Sequence, residues 1–199
     1  MARELNEQPL RIRPRRATTE SWRWRLILIG VALAYLAFFL ILPLVAVFTE
    51  AMTVNAETPA RMAQAFLASA RTKGGKRVIH FLDQKLANPN PDFFSYTMAK
   101  HALAATVRML AMAAPDPATR VYGLAPGAML PSHDQRDEEH ERSGRMNLLE
   151  RLTDPEELAD AALFLAEGWL ASGETLYIDS GQHLLAQQRD VLYLARELK

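Results

Sequence analysis

Tyr96 and Lys100 lie four positions apart in the run YTMAK, and on a helix that spacing puts a phenol and an ammonium on one face. A cation beside the ring favours the phenolate and lowers the tyrosine pKa, which makes the hydroxyl a usable proton donor near neutral pH. The spacing alone is common, and its plain alternative is a solvated lysine near a half-buried tyrosine. Asp83 stands thirteen residues before Tyr96, at the C-terminal end of the apolar run RVIHFL. In a parallel sheet that edge is where ligands bind. A carboxylate there can hydrogen-bond the tyrosine or a substrate nitrogen, or simply cap the next turn.

The segments around these residues alternate between strand and helix patterns. Thr58–Ala70 reads as an alanine-rich helix with Pro59 in its first turn. Lys73-Gly74-Gly75-Lys76 reads as a turn, Arg77–Leu82 as a short buried strand, and Asn88-Pro89-Asn90-Pro91 as a loop. A long helix is predicted over Tyr96–Ala114, stopped by Pro115 and Pro117, and a second strand over Arg120–Leu124. Pro131–Arg145 reads as a polar loop. Thr153 or Asp154 caps a helix that runs to about Glu167, and Glu174–Ile178 is a third strand. Strands alternating with helices imply an α/β fold, a parallel sheet with helices on its faces.

In combination the motifs become specific. IHFLDQKLANPNPDFFSYTMAKHAL, RVYGLAPG and SGETLYIDSGQ stand in the order and spacing of the C-terminal half of short-chain dehydrogenases/reductases, a resemblance over roughly residues 52–199. It implies a partial Rossmann-like parallel sheet. It also implies a catalytic set in which Tyr96 donates the proton and Lys100 lowers its pKa and holds the nicotinamide ribose. Asp83, where most members carry a serine, resembles the pteridine-reductase subgroup and implies help in protonating a pterin or dihydrofolate-like ring. Asn55 matches the asparagine that positions a water next to the lysine, and Pro126 and Gly127 match the turn against the nicotinamide. Gly173, Asp179 and Gly181 match the last strand and its flanks, as fold residues. The resemblance implies NADP or NAD as cofactor, a small-molecule substrate and a homo-oligomer. The five histidines (His80, His101, His133, His140, His183) lack metal-ligand spacing, so no metal is expected.

The resemblance carries no counterpart of the glycine-rich turn that holds a pyrophosphate, because no such pattern occurs in these 199 residues. The expectation is therefore an NAD(P)H-dependent oxidoreductase lacking its dinucleotide-binding half and impaired for it. Its sheet would have an apolar edge and two uncovered faces. Pairing with an intact reductase subunit is one way to complete it.

Composition adds a second body. Leu26–Phe48 is a run of twenty-three residues without a formal charge, about 34 Å as a helix and long enough to cross a bilayer core. Trp22, Arg23, Trp24 and Arg25 form an aromatic and basic collar, and the arginine bias predicts a single pass with a cytoplasmic N-terminus. An export signal and a buried core helix are the competing readings. WRWRLILIGVALAYLAFFLILPLVAVFTEA resembles the first segment of sulfate-type ABC-transporter permeases, which implies a fusion near Ala51-Met52. The chain thus reads as three parts: a basic segment (1–25), a membrane helix (26–48) and the reductase part (52–199). The alternative function is a membrane permease fragment or non-catalytic fusion protein, whereas intact relatives of the reductase part are cytoplasmic. Net charge is zero, with seven arginines against three glutamates in residues 1–25 and an acidic remainder, which argues against nucleic acid as a partner. Cysteine is absent, which excludes disulfides and thiolate chemistry.

Overall fold

The computed structural model describes residues 21–70, 75–114, 116–132 and 134–197. Most of the basic N-terminal segment, Lys73 and Gly74 of the expected turn, Pro115 and His133 lie outside the described residues. The chain divides into two compact units, Met1–Leu44 and Val45–Lys199.

The first helix, α1 (Trp22–Met52), has Pro43 inside it and no buried residue. It is the one helix among the described residues that is long and apolar enough to cross a membrane, by length and composition. The chain stays helical through a π turn at Thr53–Glu57 and then α2 (Thr58–Ala68). A π turn admits one extra residue per turn and re-aims the helix beyond it. It holds Asn55, whose amide donates to the Ala51 carbonyl at 3.1 Å.

The sheet has three strands, β1 (Arg77–Phe81), β2 (Arg120–Pro126) and β3 (Thr175–Ile178), all parallel in the order β1-β2-β3. Arg77 pairs with Arg120, and Gly123 with Thr175. The central strand is buried continuously from Val121 to Ala125, as a strand covered on both sides must be. It runs two residues beyond the expected Leu124, carrying Pro126 into the sheet edge.

Side chains alternate across β2. Val121 and Ala125 join Leu103, Val107 and Leu110 of α3 (Phe94–Met112) in one core. Tyr122 and Leu124 join Leu158, Ala161 and Leu165 of α5 (Pro155–Glu167) in the other. Helices thus cover both faces of the three strands, contrary to the expected uncovered faces. α5 begins where the sequence says it should: the Asp154 carboxylate accepts the Glu156 N–H at 2.9 Å, and Pro155 occupies the first turn. Gly168 ends it with φ of 81°, a left-handed cap that favours glycine.

The expected polar loop Pro131–Arg145 instead contains a helix, α4 (Asp137–Gly144). Three acidic residues fill its first turn, and Glu139 accepts from both the backbone and the guanidinium of Arg136. Its apolar content is too low to signal a helix. Its partner is α6 (Val191–Glu197), where Arg142 donates to the Ala195 carbonyl and Arg196 pairs with Glu139. α6 is a further element beyond those the sequence pattern predicts.

Candidate active site

β1 leaves the sheet at Leu82, and Asp83 follows in extended conformation as the cap of a short 3-10 turn, Gln84–Leu86. One carboxylate oxygen accepts the backbone N–H of Lys85 at 2.8 Å, and the other accepts the hydroxyl of Tyr96 at 3.0 Å. α3 starts two residues earlier than expected, so Tyr96 sits in its first turn, next to that strand end.

Asp83 and Tyr96 line a cavity of about 420 Å³ together with Pro126, Gly127, Met129 and Val191. Gly127 donates its N–H to the Ile178 carbonyl at 3.0 Å, tying the end of β2 to the end of β3. A Cβ on Gly127 would stand 2.8 Å from the Asp179 backbone, so only glycine fits there. The cavity therefore opens at the carboxyl edge of the sheet.

Lys100 lies one turn along α3 from Tyr96. Its ammonium is 5.5 Å from the Tyr96 ring centroid and donates to the Phe81 carbonyl at 2.9 Å. Asn55 is on the π turn that packs against α3. Neither lines the cavity. Gly173 has φ of 97° and donates to the Val121 carbonyl. Buried Asp179 accepts from the N–H groups of Gly181 and His183 and shapes the turn after β3.

The electrostatics reverse one expectation. The helix spacing predicts that Lys100 lowers the Tyr96 pKa, but burial and the neighbouring Asp83 carboxylate push it above the ordinary phenol value. Burial also raises Asp83, opposed by the Lys85 N–H, the Tyr96 hydroxyl and the Lys85 and Lys100 ammoniums. Burial lowers Lys100, with Asp83 working the other way. The Tyr96–Asp83 hydrogen bond works in opposite senses on the pair, raising Tyr96 and lowering Asp83 against the effect of burial.

Two lining residues carry charge that the sequence did not flag, Lys85 and Asp190. They form an ion pair across 105 positions, a separation at which no local pattern could have shown it.

A parallel α/β sheet with helices on both faces and a cavity at its carboxyl edge defines a Rossmann-like class of fold. The chain belongs to the short-chain dehydrogenase/reductase family: residues 42–183 match the family described as Enoyl-(Acyl carrier protein) reductase. It is similar to the 7alpha-hydroxysteroid dehydrogenase of Escherichia coli K12, 28% identical over 146 residues, covering 67% of this chain and 54% of that protein. It is also similar to the short chain dehydrogenase/reductase astE of Aspergillus oryzae, 28% identical over 120 residues, covering 56% of this chain and 46% of the other. Among solved structures it resembles the FolM alternative dihydrofolate reductase 1 of Brucella canis complexed with NADP. That match has a TM-score of 0.67 and 32% identity, covering 73% of this chain and 58% of the other. The Brucella suis protein, also with NADP, matches at the same TM-score and identity. The chain thus spans about half the length of these relatives.

Proposed function

We propose that this chain carries the substrate-side half of an NADP(H)-dependent reductase acting on a pterin or dihydrofolate-like ring. The observation that carries the reading is the 3.0 Å hydrogen bond from Tyr96 to Asp83 in the cavity wall. A carboxylate at this place suits a ring nitrogen that must be protonated, and the two Brucella relatives are dihydrofolate reductases by name with NADP bound.

The residues present fit the nicotinamide end of such a cofactor. Lys100 spends one N–H on Phe81, leaving hydrogens for ribose hydroxyls, and Pro126 and Gly127 offer a close backbone edge. When bound, the cofactor supplies a hydride to a ring carbon. Tyr96 delivers the matching proton to the adjacent ring nitrogen, and the Asp83 carboxyl replaces it. Asn55, on the π turn against α3, holds a water beside Lys100 in this reading. The sequence has no glycine-rich pyrophosphate turn, so we expect weak turnover from the chain alone. A second copy or an intact reductase subunit is the partner that would complete the site.

A second reading concerns α1. Its residues from Leu26 to Phe48 are apolar, uncharged and exposed, which supports a membrane span with the permease-like start as its source. The reductase part then sits across the membrane from a cytoplasmic N-terminus.

The test is an NADPH fluorescence titration of the detergent-solubilised full chain, beside Lys100→Ala, followed by dihydrofolate- and dihydropterin-dependent NADPH oxidation. Saturable binding weakened by Lys100→Ala supports the reading. No binding up to millimolar NADPH overturns it and leaves a non-catalytic fusion protein.

A further inference from the structure

The cavity wall holds charge that the proton pair does not directly use. The Lys85 side chain is only 6% exposed, and its ammonium lies 2.7 Å from a carboxylate oxygen of Asp190, itself 15% exposed. The same ammonium donates to the Asp92 carbonyl at 3.2 Å and sits 5.1 Å from the Phe93 ring centroid. Phe93 takes a left-handed backbone, φ 53°, and its ring stacks on Tyr193 of α6. Asp92 in turn accepts from the Asp190 N–H and the Arg189 guanidinium, each at 2.8 Å. Residues 85–93 and 189–193 are therefore clasped together, and the clasp ends on the cavity.

A buried ion pair adds little to stability, because desolvation offsets most of its attraction. Its field inside a low-dielectric wall is a different matter. Lys85 grips Asp83 through its backbone N–H at 2.8 Å, and both residues line the same cavity, where the Lys85 charge favours the ionised carboxylate. Asp190 opposes that ammonium and acts on Tyr96 with the opposite sign. The other charged or titratable groups facing this region are Tyr96 and Lys100 on α3 and His140 on α4.

We propose that Lys85 and Asp190 are positioning residues of the Asp83–Tyr96 pair: the Lys85 cation draws Asp83 toward the ionised form, and Asp190 limits that pull. The C-terminal segment thereby becomes part of the active site and sets its proton affinity. This inference rests on Asp83 and Tyr96 being the proton-handling pair.

The test reads Asp83 directly, without cofactor or substrate. The full chain in detergent is labelled with carboxyl-13C aspartate, Asp83 is assigned with Asp83→Asn, and its signal is titrated in wild type, Lys85→Met, Asp190→Asn and the double variant. Lys85→Met is expected to raise the Asp83 midpoint and Asp190→Asn to lower it, each by roughly half a pH unit or more, a threefold or greater change in proton affinity. The double variant returns toward wild type. Midpoints unmoved in both single variants, or moved in the same direction as general loosening would move them, overturn the proposal. If Lys85→Met does not fold, Lys85→Gln takes its place: an upward shift, opposite to the fall that loosening and hydration of Asp83 would give, supports the proposal and any other result overturns it. Opposed shifts in a chain without turnover would sink the reductase reading and keep the charge device, and turnover without shifts would do the reverse.

Discussion

The Tyr96 hydroxyl donates to the Asp83 carboxylate at 3.0 Å, across thirteen residues that include a strand end, a 3-10 turn and a proline loop. One group is fixed by the sheet and the other by the first turn of α3, so their separation depends on how that helix seats on β1 and β2. The bond acts on the two groups in opposite senses, holding the Tyr96 proton more tightly and favouring the ionised Asp83 carboxylate.

Tyr96→Phe removes the donor and leaves the cavity shape almost unchanged. Dihydrofolate- or dihydropterin-dependent NADPH oxidation is expected to fall by about 10²–10⁴-fold, the range for losing a general acid. Circular dichroism should match wild type, since only a hydroxyl is lost.

The raised pKa of Asp83 has a pH consequence. A carboxyl whose folded pKa exceeds its unfolded value costs the fold nothing below the unfolded value, near 3.8, and its full penalty above the folded one. Asp83→Asn should therefore raise the melting temperature at pH 7 relative to wild type, and the gain should vanish by about pH 3. Thermal melts across that window check the sign. Turnover should decline as pH rises through the same folded value, because the proton that Asp83 supplies is lost.

Gly127→Ala places a methyl 2.8 Å from the Asp179 backbone, where no flexible side chain can yield. The ends of β2 and β3 must part, at a cost of about 1–3 kcal/mol in stability. Chemical denaturation measures it, and NADPH affinity should fall with it if Gly127 borders the nicotinamide.

Leu165 is fully buried against Tyr122 and Leu124 on the α5 face of the sheet. Leu165→Ala should cost about 2–5 kcal/mol by denaturant unfolding. A cost well below 1 kcal/mol would mean that α5 does not cover that face.

The membrane reading of α1 makes a prediction by fractionation. Leu36→Arg with Phe39→Arg puts two charges near the middle of the apolar run, each about 2.5–3.5 kcal/mol unfavourable at a bilayer centre. The wild-type chain should sediment with membranes through a carbonate wash, and the variant should not.

Much of the α/β part is legible in the sequence because its signals are local. The strands around Ile79, Tyr122 and Tyr177 are short apolar runs bounded by turn residues, and the helix at Pro155 carries its own cap. α4 reads as a loop because its helical signal is electrostatic, and its packing partner α6 lies some fifty residues away. The alternation of strands and helices predicts helices on the sheet's faces, whereas the expected loss of the first strands predicts bare ones. Val121 and Tyr122, adjacent in sequence, point into two different cores, so both faces are covered.

Residue type and spacing alone establish the identity and order of the chemical groups: Asp83, Tyr96 and Lys100 in register, the turn at Pro126-Gly127, and the uncharged run from Leu26 to Phe48. These are local properties, and a single strand-to-helix unit suffices to bring such groups near one another. How those groups hold their protons is settled by packing. Burial and Asp83 raise the Tyr96 pKa where the helix spacing predicts a lowering, and Lys85 meets an aspartate 105 positions away at 2.7 Å. Desolvation and long-range charge pairing depend on what the rest of the chain packs around a group, and the sequence neighbours of that group do not specify it.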